Sequence, residues 1–244
     1  MLLAIDAGNT HSKAAVFEHT ALLQKFIFDK TGAAENIEKI FSQHPNITAV
    51  IYASVNFDNP ALLSWLQNRA RLLVVSHTSR FPFVNNYTTP LTLGIDRMVL
   101  SAGAVLQYPG RNRLVIDCGT CITYDFTDSN NVYHGGAISP GLQMRYKALH
   151  TFTAKLPLLL PQAPAHYTGN ATNQAIHSGV VNGLLHEIEG FIKQYEGEYA
   201  NVAVILTGGD TDFLANRVKN TIFANSNFLL ESLNYLYLYN NKND

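Results

Sequence analysis

The sequence predicts a mixed α/β protein in which one kind of lobe is built twice. Three observations predict it. Short apolar runs bounded by turn residues alternate with stretches whose apolar positions recur every three or four residues, the periods of strand and helix. The segment Ala4-Ile5-Asp6-Ala7-Gly8-Asn9-Thr10 returns 111 residues later as Val115-Ile116-Asp117-Cys118-Gly119-Thr120, with the pattern apolar, apolar, Asp, small, Gly, then Asn or Thr. Between the copies, Tyr108-Pro109-Gly110-Arg111-Asn112 interrupts both periods and marks a boundary. The expected lobes are residues 1–110 and 111–244, facing each other across a cleft.

Taken in order, residues 2–6, 14–18 and 22–28 read as strands, 33–44 as a helix, 49–55 as a strand, 60–70 as a helix and 72–76 as a strand. A helix rich in small residues follows over 96–106. Past the boundary the pattern restarts, with strands over 114–117, 121–126 and 132–138 and a helix over 141–156. A polar stretch with prolines leads to a long helix over 173–195, whose stripe Ile176, Val180, Val181, Leu184, Leu185, Ile188 and Ile192 is core. Residues 202–206 form a buried strand that ends in Thr207-Gly208-Gly209-Asp210, and a helix comes next. The tail 240–244 is polar and expected to fray.

Composition narrows the function. At 244 residues the chain has room for one large or two modest domains, since cores of about 100 to 150 residues are the usual unit. Apolar residues make up 47% and charged residues 14%, against about 25% charged in an ordinary globular protein, so an oligomer is expected to cover part of the surface. With a net charge of −1 and no Lys or Arg run longer than two, the footprint of a nucleic-acid or anionic-membrane partner is missing. The start reads as a strand rather than a secretory signal, and no run of about 18 apolar residues occurs, so a cytoplasmic protein with a small-molecule partner is expected. Cys118 and Cys121 form a C-x-x-C that taken alone suits a redox pair or half a zinc site, but in the repeat Cys118 fills the small-residue slot of Ala7.

The chemistry concentrates in glycine turns at strand ends. In Asp6-Ala7-Gly8-Asn9-Thr10-His11-Ser12-Lys13, Gly8 frees backbone amides to face phosphate oxygens. Asn9, Thr10 and Ser12 add neutral donors, Lys13 adds a mobile positive charge, and Asp6 is placed to hold Mg²⁺. One such copy is equally an ordinary hairpin turn. Two copies at lobe spacing favour phosphate binding, and in the second Gly119 and Thr120 repeat that role while Asp117 offers a carboxylate to a cation. Asp96, at a helix start after Gly94 and Ile95, is either a cap or the base that deprotonates an acceptor hydroxyl; Arg97 beside it supplies the cation that phosphoryl transfer also needs. Gly135-Gly136-Ala137-Ile138-Ser139-Pro140-Gly141 reads equally as an anion-facing turn or a packed connection, and Thr172 by spacing is a helix cap. No P-loop, dinucleotide fingerprint, zinc-protease pair or nucleophile elbow is present.

The motifs DAGNTHSK at 6–13, GIDR at 94–97, DCGT at 117–120, GGAISPG at 135–141, TNQAIHSG at 172–179 and TGGD at 207–210 occur together and in order. Their series resembles the type III pantothenate kinases over nearly the whole chain. The resemblance implies the two-lobed, ribonuclease H-like fold of actin, sugar kinases and heat-shock 70, a homodimer, and transfer of the ATP γ-phosphoryl group to pantothenate in coenzyme A biosynthesis. It implies Asp96 as proton acceptor, Asp6, Ala7, Gly8, Asn9, Thr10, His11, Ser12, Lys13 and Thr120 as ATP contacts, and Asp117 as ligand of a monovalent cation, K⁺ or NH₄⁺, alongside Mg²⁺ with ATP. Tyr87, Gly94, Ile95, Asp96, Arg97 and Thr172 fall on pantothenate-contacting positions. The competing readings are a non-catalytic accessory transcription regulator and a kinase of the same fold with another acceptor, which the ATP motifs alone do not separate.

Overall fold

The computed structural model describes residues 1–8, 11–54, 59–220 and 222–241, with only the backbone at residue 30. The chain divides into two compact units, Met1–Gln107 together with Asn227–Asp244, and Tyr108–Ser226.

In the first unit β1 (Leu2–Ala7) pairs antiparallel with β2 (His11–Glu18) and parallel with β4 (Ala49–Ser54). The edges are β3 (Ala21–Asp29) and β5 (Arg71–Val74), giving the order β3-β2-β1-β4-β5. One face packs Leu3, Ile5, Val16 and Tyr52 against α1 (Ala33–Gln43) and α2 (Pro60–Gln67) through Ile37, Ile40, Leu62 and Leu66. α2 begins as its sequence dictates, with Pro60 in the first turn and Asn59 capping the Leu62 N–H at 3.0 Å. After a two-residue strand, β6 (Val84–Asn85), comes α3 (Ile95–Gln107), in which ten consecutive or nearly consecutive side chains are buried.

The second unit repeats the plan. β7 (Asn112–Cys118) pairs antiparallel with β8 (Cys121–Thr127), which pairs antiparallel with β9 (Val132–Pro140). The helices α4 (Leu142–Thr151) and α5 (Thr172–Glu198) follow, and β10 (Val202–Thr207) then pairs parallel with β7. α6 (Thr211–Ala215) leads to β11 (Phe223–Ala224), parallel to β10. Its five strands run β9-β8-β7-β10-β11, the first unit's order strand for strand. The predicted helical stripe packs here: Ile176, Val180, Val181, Leu184, Ile188 and Ile192 cover Ile116, Cys118, Ile122 and Tyr124. Finally α7 (Phe228–Asn241) returns to the first unit, packing on α3, β1 and β4.

Three elements differ in part from the sequence reading. The strand expected over 132–138 is present and runs on to Pro140, so residues 135–140 are a packed strand along β8 and not an anion-facing turn, with Gly136 opposite Asp125, where a Cβ would lie 1.5 Å from the Tyr124 carbonyl oxygen. The glycines serve strand approach. The helix expected to reach residue 156 stops at Thr151. α7 was not expected, because its all-round mixture of apolar, Asn and Tyr residues lacks a clean one-sided stripe; the expected lobes 1–110 and 111–244 differ from the observed units by residues 108–110 and by the segment from Asn227 that carries this helix.

Candidate active site

In the first unit the β1–β2 hairpin places Asp6 opposite Lys13 and Ala7 opposite Ser12. Adjacent side chains on a strand alternate between faces, so these two pairs point to opposite sides of the sheet. Asp6 is a carboxylate only 8% exposed at a strand end. Gly8 belongs to the turn because a Cβ there would lie 2.9 Å from the His11 carbonyl oxygen. Asn9 and Thr10 lie outside the described residues. His11 is half-exposed with Nε2 3.5 Å from Asp29 Oδ1.

The Ser12 hydroxyl is not on the Asp6 face. It lines a cavity of about 270 Å³ beneath α1 and α2, shared with Ala7, Phe28, Tyr52, Ser54 and Asn59. Burial raises the Tyr52 phenol, partly countered by its hydrogen bond with Ser54 and reinforced by the Asp6 charge.

Also in the first unit, α3 opens with Ile95, Asp96 and Arg97. The Arg97 N–H donates to Asp96 Oδ1 at 2.9 Å, so the carboxylate is folded against its own helix start. Gly94 permits this, since a Cβ there would stand 2.4 Å from Asp96 Oδ1. Arg97 is buried with its guanidinium 5.9 Å from the Tyr87 ring centroid, a cation–π distance. Tyr87 is itself fixed by its N–H donating to Asn85 Oδ1 at 3.0 Å. The structure thus gathers Tyr87, Gly94, Ile95, Asp96 and Arg97 into one cluster.

In the second unit the β7–β8 turn is built from three sides. Its own Gly119 N–H donates to Cys121 O at 3.0 Å. The Gly141 N–H donates to Thr120 O at 3.2 Å, and a Cβ at Gly141 would lie 2.3 Å from Gly119 O. The Asp210 N–H donates to Cys118 O at 3.0 Å. Gly208, at φ +101°, lies so near Asp117 that a Cβ would be 2.5 Å from Oδ1, a position and a backbone only glycine tolerates. Asp117 is half-buried and Thr120 exposed on the turn.

Asp210, which the sequence reading passed over as part of a glycine turn, joins Asp117 here. Burial holds its carboxyl above the usual range. Burial first, then the charges of Asp117, Asp210 and Glu187, push the Cys118 thiol far up. Cys118 faces the core opposite Ile122, whereas Cys121, one residue before Ile122, points to the other face. Both are free thiols on opposite sides of the sheet, so the C-x-x-C is not a redox pair in this fold. Among the described residues no three His, Cys, Asp or Glu side chains gather as a metal cluster. Isolated carboxylates beside a glycine turn can still serve hard cations, which take most of their ligands from water and ligand oxygens.

Thr172 does not cap α5: the cap position is Ala171, without a side-chain bond. Thr172 is exposed on an apolar groove of about 850 Å³ between α4 and α5, lined also by Pro140, Arg145, Phe152, Ile176 and Val180. Among the described residues no helix is long and apolar enough to cross a membrane.

The comparisons agree with one another. The family described as type III pantothenate kinase matches residues 2–194. A type III pantothenate kinase of Flavobacterium johnsoniae is 55% identical over 245 residues, covering 100% of both chains. One from Bacteroides fragilis is 41% identical over 244 residues, covering 99% of each. Among solved structures, a Campylobacter jejuni protein named for the Baf family of transcriptional activators aligns over 98% of both chains at 23% identity and a TM-score of 0.63. A glucokinase from an Antarctic psychrotroph aligns over 96% of this chain and 97% of its own at 11% identity and a TM-score of 0.52. At such identities the structures show the fold, that of sugar kinases and actin.

Proposed function

Since the chain belongs to the type III pantothenate kinase family and so phosphorylates pantothenate with ATP on the way to coenzyme A, we propose how its residues divide that work. Asp96 is the proton acceptor. It takes the proton of the pantothenate primary hydroxyl as that oxygen bonds to the γ-phosphorus, the bond from γ-phosphorus to the bridging oxygen breaks, and ADP leaves with the electron pair. The single observation that carries this is the GIDR corner, where Gly94 and the Arg97 N–H hold Asp96 Oδ1 in place, leaving Oδ2 for the acceptor. Arg97 and Tyr87 bind pantothenate beside it, and Thr172 contributes from its groove.

ATP phosphates are taken by backbone amides at Gly8 and Gly119 with Lys13 and Thr120, and Asn9 and Thr10 are further ATP contacts. The family's activity needs a divalent metal. Asp6 would hold Mg²⁺, which supplies charge neutralisation to the β- and γ-phosphates. Asp117, pressed against the Gly208 backbone, would hold K⁺ or NH₄⁺. The protein works as a homodimer, a reading supported by Phe152 and Leu160, which are 86% and 81% exposed. Two free thiols accord with a cytoplasmic site of action.

The test is ADP release from ATP and Mg²⁺, with and without pantothenate, in potassium and in sodium buffer. Turnover requiring both pantothenate and potassium is expected; turnover with another alcohol instead would reassign the acceptor. Asp96→Asn should lower kcat by about a thousandfold while ATP binding persists. A variant that keeps full rate would remove Asp96 from the base role.

A further inference from the structure

A partly buried polar network in the second unit ends on the Gly119–Thr120 turn, and none of its charged members has a place in the chemistry above. Glu187 lies on the inner side of α5, its side chain 23% exposed. Its Oε2 accepts from Arg145 Nη2 at 2.6 Å and its Oε1 from the Tyr124 hydroxyl at 2.8 Å, with the Ser139 hydroxyl a further partner. Burial alone would raise this carboxyl, but the bonds from Arg145, Ser139 and Tyr124 and the Arg145 charge bring it below the ordinary range. Arg145 then turns toward the end of β9: Nη2 donates to Ser139 Oγ and Nε to Pro140 O, both at 2.9 Å. The next residue is Gly141, whose backbone rests on Gly119 O and Thr120 O.

We infer that Glu187 is a positioning residue for ATP: through Arg145 it clamps Ser139 and Pro140, and through Gly141 it sets the height of the Gly119–Thr120 turn. The inference rests on the reading of that turn as a phosphate site. A fixed guanidinium fork is suited to this, since one Arg145 side chain satisfies a carboxylate, a hydroxyl and a carbonyl at once. Arg145 and Pro140 also line the Thr172 groove, so the effects on ATP and on pantothenate are read separately.

The experiment compares Glu187→Gln and Thr120→Val in the full chain, with separate KM values for ATP and pantothenate and a melting curve for each. Glu187→Gln keeps the side-chain shape and removes the charge. It should raise the ATP KM about tenfold, the cost of one charge-assisted bond, and the pantothenate KM by much less. Glu187→Asp, which restores charge at a shorter reach, should recover part of the effect. If Thr120→Val raises the ATP KM but a folded Glu187→Gln does not, the clamp is overturned and the turn's role stands. If Glu187→Gln shifts both KM values together with the melting temperature, its role is general stability and the inference fails. If neither variant changes the ATP KM, the phosphate reading of the turn fails first.

Discussion

Gly94 in the first unit and Gly208 in the second show how much a missing Cβ decides around each candidate carboxylate. At Gly94 the absent atom makes room for the Asp96 carboxylate, and at Gly208 for that of Asp117. Gly94→Ala should therefore lower kcat more than it changes either KM, because it displaces the proposed base and leaves the proposed phosphate turns alone; steady-state kinetics checks this. Glu187 carries a pH signature. Its folded carboxyl lies below its unfolded value, so its contribution to stability is complete above about pH 4.3 and is lost as pH falls through that value and on through the lower folded one. Urea midpoints of the wild type and Glu187→Gln should differ at pH 7 and converge toward pH 3. Asp6, Asp96, Arg97 and Asp117 were legible in the sequence because each sits in a short motif with its own glycine. Glu187 and Arg145 were not, because 42 residues separate them and only the packing of α4 on α5 brings them together. Ser12 was legible as a donor but not in its direction: a hairpin's register decides the face, and that puts its hydroxyl under α1 and α2.

At the scale of elements, strands and buried helices were readable and crossings were not. The stripe of α5 named its own core face because a 3.6-residue period fixes which side chains share a surface. The Gly135-to-Pro140 run was ambiguous, since glycines that admit a neighbouring strand look in sequence like glycines that make a turn, and the strand reading is the one that holds. Gly103 belongs to the same class. Where α3 meets α7, a Cβ at Gly103 would lie 1.8 Å from Ser232 Oγ and 2.9 Å from the Ser232 Cα. Gly103→Ala should destabilise the protein by about 2 kcal/mol through overpacking, despite the better helix propensity of alanine. Ser232→Gly in the same chain should return part of that loss, as read from chemical denaturation.

At the scale of the whole molecule, the duplication announced by two Asp-x-Gly turns extends to strand order and sheet direction. It stops at α7, which packs with α3 in the first unit. The sequence could not show this, because α7 carries no motif that names its partner. The exposed apolar groove residues give this scale its own prediction: if the proposed homodimer buries this face, Phe152→Asp should shift the sedimenting species toward monomer with the fold retained by circular dichroism. The route of the chain also sets an order in time. A ribosome adds about 5 to 20 residues each second and releases Met1–Gln107 first, yet that unit lacks α7 until more than a hundred further residues have been made. The second unit, Tyr108–Ser226, is continuous and has all its elements sooner. The part of the protein born first is thus completed last, and until then the apolar side of α3 that α7 will cover is what a nascent-chain chaperone would find to hold.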